Sequence, residues 1–148
     1  MPDNQVIDDV RARYERDSRL EHPAVMAISE RAGTVTLRGT VHSLHQRHLA
    51  IEVAKSVRGV RAVEDELVVD PRDHWEDAEA RGAALNALIA DPDVPAETID
   101  VTVADGWLTL SGRVKHQSES NAAFEAVQGL PRVGGITNKV QVVTAGAG

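Results

Sequence analysis

The 148-residue chain is 42% hydrophobic and 26% charged, carries a formal net charge of −7 and contains no cysteine. That composition suits a folded globular chain, and the missing thiols exclude a disulfide scaffold, a thiol nucleophile and cysteine-ligated zinc. The negative charge repels nucleic acid and anionic lipid at long range, so bulk electrostatics recruits neither.

Met1 to Val10 lacks a basic stretch followed by an apolar run, so it does not read as a Sec signal peptide. No segment approaches the roughly 18 apolar residues of a membrane span. A cytoplasmic location is expected; a chain whose leader had been removed would read the same and lie in the periplasm. The first element is a helix, with Asn4 as N-cap and Val6, Ile7, Val10 and Tyr14 at helical spacing. Arg11, Arg13, Arg16 and Arg19 interleave with Asp8, Asp9, Glu15 and Asp17, which predicts intrahelical salt bridges rather than a basic stripe.

A strand follows, with Val35, Leu37 and Val41 on one face and Thr34, Thr36, Arg38 and Thr40 on the other. Ser43 and Gln46 have capping-box spacing, and Ala50, Val53, Ala54 and Val57 form the buried stripe of a second helix. A strand from Val60 to Val69 closes the unit. Pro71-Arg72-Asp73 reads as a linker.

The same order then repeats. A helix runs from Trp75 to Ala90, with acids near its start, and stops at Asp91-Pro92-Asp93-Val94-Pro95. Ile99, Val101 and Val103 alternate in a strand, and Asp105-Gly106 is a type I′ hairpin signal. The returning strand places Leu108, Leu110 and Val114 on one face, with Trp107, Thr109, Ser111 and Arg113 on the other. Ala123, Ala126, Val127 and Leu130 mark the next helix, and a strand from Val133 to Val143 ends the unit. Gly33 to Val41 recurs 73 residues later as Gly106 to Val114, and Val57, Val60, Val63 and Leu67 fall on Leu130, Val133, Ile136 and Val140. One module is therefore written twice. The expected fold is α+β: two αββαβ domains over residues 1–70 and 74–148, with linker 71–73. Each is a small mixed three-stranded sheet with two helices on one face and a polar opposite face. Gly33, Gly39, Gly59, Gly106 and Gly112 are expected to be structural, with Gly39 and Gly112 on the apolar face where a helix approaches closely.

The hairpin VTLRGTV at Val35–Val41, the helix after Ser43 and GVRAVEDEL from Gly59 to Leu67 resemble the BON domain. So do LTLSGRV from Leu108 to Val114 and VGGITNKV from Val133 to Val140. This is the module of bacterial osmotically inducible periplasmic proteins, secretins and haemolysin-type proteins. The chain departs from a strict repeat at Arg132, where the first copy has Gly59, and at Asp65, where the second copy keeps Asn138. The resemblance implies a non-catalytic module that binds phospholipid or membrane surfaces or an envelope-stress partner. The alternative is a cytoplasmic protein-interaction or potassium-sensing stress module.

Features present in only one copy are the candidates for specific function. Trp107, with Thr109, Ser111 and Arg113, puts a large aromatic on a polar sheet face, which suits a partner or lipid interface; packing against the other copy or the linker is the plain alternative. His42, His45 and His48 are spaced by three, but only His45 and His48 share a helix face, and a solvated helix start is expected in place of a metal site. Asp91, Asp93 and Glu97 suit turn and capping duty, since Pro92 and Pro95 break any calcium-loop spacing. Glu64 and Glu66 should face solvent. No nucleophile elbow or phosphate loop repeats in both units, so no enzyme activity and no cofactor are expected. Nucleic acid is excluded as a partner, because neither copy has a G-x-x-G loop or a basic groove. A basic-leaning first copy and an acidic second one suit head-to-tail contact, either between molecules in a homo-oligomer or between the two copies.

Overall fold

The computed structural model describes residues 4–70 and 75–143, so the Pro71-Arg72-Asp73 linker lies outside the described residues. The chain divides into two compact units, Met1–His74 and Trp75–Gly148. The first contains α1 (Asn4–Arg16), β1 (Met26–Arg31), β2 (Thr34–Val41), α2 (Leu44–Lys55) and β3 (Ala62–Val69). The second contains α3 (Trp75–Ala90), β4 (Ile99–Ala104), β5 (Trp107–Val114), α4 (Gln117–Val127) and β6 (Gly135–Val142). Each sheet has the order of its sequence, β1-β2-β3 and β4-β5-β6. A hairpin makes the first pair antiparallel, and a helical crossover makes the second parallel. The α+β class and the two mixed three-stranded sheets are as the periodicity indicated.

Each core forms where the alternating strands meet the helix stripes. In the first unit Leu37, Val35 and Ile28 pack with Val10, Tyr14, Ala50 and Val53; in the second Leu108, Leu110 and Val101 pack with Leu85, Leu88, Ala123 and Val127, all of them buried. Both hairpins turn through two residues with positive φ, Ala32 and Gly33 (51° and 88°) and Asp105 and Gly106 (49° and 82°). The second turn is anchored to the helix layer: the Asp77 carboxylate in the first turn of α3 accepts the amides of Asp105 (2.8 Å) and Gly106 (3.0 Å).

Four local expectations are corrected. α1 already includes Asn4, so that residue is helical rather than its cap. The intrahelical salt bridges of α1 do not form: Arg11, Arg13 and Arg16 have no carboxylate within 4.0 Å among the described residues. Exposed ion pairs gain so little that other partners prevail. Asp9 accepts from Gln5 (2.9 Å), Arg13 reaches across to the hydroxyl of Ser56, the C-cap of α2 (2.9 Å), and Asp17, past the helix end, takes Arg19 through three hydrogen bonds, one from its amide and two from its guanidinium. Only half of the Ser43 capping box is made. Ser43 Oγ accepts from the Gln46 amide (3.1 Å), but the Gln46 side chain turns to the 19–21 loop, donating to Arg19 O (2.8 Å) and accepting from the Glu21 amide (3.2 Å).

The fourth correction concerns Gly39 and Gly112. What comes close to them is not a packed α-helix but the single 3-10 turn that enters the neighbouring strand, Pro23–Val25 or Ala96–Thr98. A Cβ on Gly39 would overlap the carbonyl oxygen of Val25, and one on Gly112 that of Thr98. Both glycines also hold positive φ, 145° and 129°.

Candidate functional site

The open face of the second sheet, opposite the helices, is assembled by strand register. On β5 the period of two turns Leu108, Leu110 and Val114 inward and leaves Trp107, Thr109, Ser111 and Arg113 outward. Parallel pairing with β6 puts Gly135 beside Trp107, Thr137 beside Thr109, Lys139 beside Ser111 and Gln141 beside Arg113. Antiparallel pairing with β4 adds Ala104, Thr102 and Asp100. The four residues expected at the site therefore share one face. Thr137, Lys139 and Gly135 belong with them, and the single strand β5 did not reveal them. The 73-residue offset carries the signal: Lys139 and Thr137 replace Glu66 and Glu64 of the first copy, and Gly135 replaces Ala62.

Trp107 has a defined pose. Its indole lies over Gly135, in space that a Cβ there would occupy, and Nε1 donates to Thr137 Oγ1 (2.8 Å). The residue is nevertheless 52% exposed, so one surface of the ring and its edge remain in solvent. The ring thus packs on Gly135 of its own sheet and still presents apolar area, an arrangement different from packing against the linker or the other copy.

The electrostatics of the two open faces differ. On the first sheet the Arg38 guanidinium, only 11% exposed, lies 3.3 Å from Glu66, and Glu64 and Glu66 are both at the surface as alternation requires. On the second sheet Arg113 and Lys139 are exposed, and neither has a carboxylate within 4.0 Å among the described residues. Asp100, the acid on that face, is drawn to the sheet edge. Its carboxylate accepts the Val101 amide (2.8 Å) and faces Arg81 of α3 (3.3 Å). Arg81 is itself buried, donating from Nε to Val101 O (2.6 Å), and so covers part of the β4 edge. The outcome is a locally cationic face with several hydroxyls and one oriented indole, inside an acidic half of the chain.

The remaining candidates are dispersed. His45 and His48 are exposed on α2, and His48 Nε2 lies 3.7 Å from Glu52. Among the described residues no three His, Asp or Glu side chains are grouped to hold a metal ion. Asp91 accepts the Asp93 amide (2.9 Å), a turn role. Ahead of α4 the Glu119 carboxylate takes the amides of Lys115 (2.9 Å) and His116 (3.1 Å), so it caps the helix. A shallow depression of about 610 Å³ beside that cap is lined by Asp93, His116, Glu119 and Glu125, with Pro92 and Ser118 among its neighbours. No described helix is long and apolar enough to cross a membrane.

The chain is 34% identical over 113 residues to osmotically-inducible protein Y of Escherichia coli (strain K12), a stretch covering 72% of this chain and 56% of that protein. It thus spans little more than half of that relative's length. Among solved structures it is similar to CdsD, a structural protein of the type III secretion system of Chlamydia trachomatis. The TM-score is 0.42 at 10% identity, covering 96% of this chain and 94% of that one. A second structure, of the C-terminal domain of CdsD, gives a TM-score of 0.40 at 10% identity over 93% and 96% of the two chains. The family model of the BON domain matches twice, over residues 2–71 and 76–144, and the chain belongs to the BON domain family as a tandem of two such domains.

Proposed function

We propose that this chain is a non-enzymatic binding module whose second domain engages phospholipid headgroups at a membrane surface through the open face of its sheet. The observation that carries this reading is the Trp107 indole, held over Gly135 and tied to Thr137, half exposed beside the unmatched charges of Arg113 and Lys139. Indole combines apolar area with a polar edge, which suits the boundary between headgroups and acyl chains, and a fixed ring loses little entropy on binding. Hydroxyls and cations beside it match the acceptor oxygens of a lipid phosphate. Likeness to an osmotically inducible protein supports a role under osmotic stress, in which a module of this kind would act on the cell envelope.

Flotation with phosphatidylcholine and phosphatidylglycerol vesicles tests the reading. The wild-type chain should float with vesicles, and Trp107→Ala should weaken that binding by about tenfold, the loss expected for one well-placed aromatic anchor. A folded Trp107→Ala variant that floats like the wild type would show that the sheet face is not the contact. A wild-type chain that floats with neither vesicle would end the lipid reading.

A further inference from the structure

Four strands form the edges of the two described sheets, β1 and β3 in the first unit, β4 and β6 in the second. An edge strand offers backbone donors and acceptors to any chain that can lie beside it, so each edge needs a guard. Three edges have one. β1 is buried from Met26 to Ile28. On β4 the Val101 amide goes to Asp100 Oδ1 (2.8 Å), and the Val101 carbonyl accepts from Arg81 Nε (2.6 Å). β3 carries Glu64, Asp65 and Glu66 in a row, and Arg47 of α2 lies against Asp65.

β6 is built differently. At the offset of 73 the three acids become Thr137, Asn138 and Lys139, and Arg47 becomes Ser120. Lys139 is the one charged residue of the strand. Val143 donates to Val114 O (2.7 Å), so by the period of two the backbone groups of Ile136, Asn138, Val140 and Val142 point away from β5. Asn138 Oδ1 accepts the Val140 amide (3.0 Å), and both Asn138 and Val142 are exposed.

We propose that β6 pairs antiparallel with β6 of a second copy of this chain, joining two three-stranded sheets into one of six strands. Charge selects both the edge and the register. Centred on Asn138, the pairing sets Asn138 against its counterpart, Ile136 against Val140 and Thr137 against Lys139. Apolar then meets apolar, amide meets amide, and the ammonium meets a hydroxyl. A centre at Lys139 would oppose two ammonium groups, and one at Val140 would set the Asn138 amide against Val142. The same pairing on β3 would oppose Asp65 to Asp65 and Glu64 to Glu66, which like charges forbid. In the β6 pair the Val140 amide exchanges Asn138 Oδ1 for the Ile136 carbonyl of the second copy. The two-fold axis through Asn138 keeps the helices of the two second domains on one side of the joined sheet, with both Trp107-bearing faces on the other. Edge backbone makes this contact, and it is independent of lipid binding.

Sedimentation velocity on the full chain, without vesicles, tests the pairing. The wild type should pass from single chains to dimers between about 5 µM and about 0.5 mM, the affinity range of a modest interface. Asn138→Asp keeps the size of the side chain and its acceptor for the Val140 amide, but sets two carboxylates face to face. It should weaken the dimer at least about tenfold. Val140→Pro removes a donor that its own sheet does not use, and should do the same. Melting curves show that both variants are folded. Because the chain has no cysteine, Asn138→Cys reads the register directly. Opposed residues of such a pair lie about 5.5 Å apart at Cα, within disulfide reach. Val140→Cys would lie about 14 Å from its counterpart, so mild oxidation should cross-link the first variant and spare the second. A wild type that stays a single chain at about 0.5 mM, leaving the edge to a strand of another protein, overturns the proposal. So does a dimer untouched by both edge variants, or cross-linking at 138 no faster than at 140.

Discussion

The Arg47 guanidinium of α2 binds the Asp65 carboxylate of β3, and the equivalent pair in the second domain is Ser120 and Asn138, joined at 3.1 Å. Both members of the pair change together between the copies, while a second duty is kept. Asp65 Oδ1 accepts the Leu67 amide (2.9 Å), and Asn138 Oδ1 accepts the Val140 amide (3.0 Å). These amides belong to the third strand of each sheet, which has no further strand beside it, so the side chain satisfies a donor that would otherwise point off the edge. The constant requirement is an acceptor two residues before the amide. The variable part is whether the helix partner is charged.

Arg47→Ser alone should be the costly change, because it leaves the Asp65 carboxylate, 16% exposed, with one amide and no counter-charge. A loss of about 1–3 kcal/mol is expected. Arg47→Ser with Asp65→Asn transplants the arrangement of the second domain and should recover most of that loss. A double-mutant cycle from urea unfolding gives the coupling directly. Additive effects of the two changes would mean that Arg47 and Asp65 act independently.

Gly39→Ala and Gly112→Ala should each cost more than about 3 kcal/mol, well above the usual surface substitution. The methyl group would strike a carbonyl oxygen of the strand-entry turn, and φ near 145° or 129° is unfavourable for any L residue. Gly129→Ala is the control, since a Cβ there meets nothing within 4 Å. Thermal melts of the three variants should therefore separate into two destabilised proteins and one close to wild type.

Much of this architecture is local and could be read from the chain. The strand alternation at Leu108, Leu110 and Val114, the turn at Asp105-Gly106 and the stripe at Ala50, Val53 and Val57 each depend on residues close in sequence. What escaped was decided through space. Arg13 has Asp9 one turn away and bonds Ser56, 43 positions on. Gly39 is required by the backbone at Val25, which no periodicity reports. Arg81, charged and within a helix, is buried because its guanidinium caps a carbonyl of the edge strand. The site shows the same division. Trp107, Thr109, Ser111 and Arg113 follow from one strand, whereas Thr137 and Lys139 join them only through a parallel register set across a helical crossover.

Gly135→Ala should disturb the Trp107 pose without touching the cations around it. The new Cβ would occupy the space of the indole, so the ring must shift and its bond to Thr137 must lengthen or break. In a Trp75→Phe background, which leaves one tryptophan, the emission of Gly135→Ala should move to longer wavelength as the ring gains water. Stability should fall by about 1 kcal/mol, the net worth of one hydrogen bond. If Trp107 serves membranes through its fixed orientation, vesicle binding should weaken in the same variant. An unchanged spectrum would show that Gly135 does not set the pose.

Tyr14 is the only tyrosine in the chain, and it is 1% exposed with its hydroxyl donating to Ala50 O (2.8 Å), a link between α1 and α2. Burial disfavours the phenolate and raises the Tyr14 pKa far above its ordinary value. A folded-state pKa above the unfolded value of 10 leaves stability untouched at neutral pH, where both states hold the proton. Above pH 10 the unfolded chain releases it and the folded chain does not, so stability falls by about 1.4 kcal/mol for each further pH unit. Phenolate absorbance should therefore appear together with unfolding of the first domain rather than as a separate step near pH 10. Tyr14→Phe should cost about 1 kcal/mol at neutral pH through the lost hydrogen bond and should remove this alkaline slope. A phenolate signal near pH 10 with the helical circular dichroism intact would place Tyr14 in solvent, contrary to its position between the two helices.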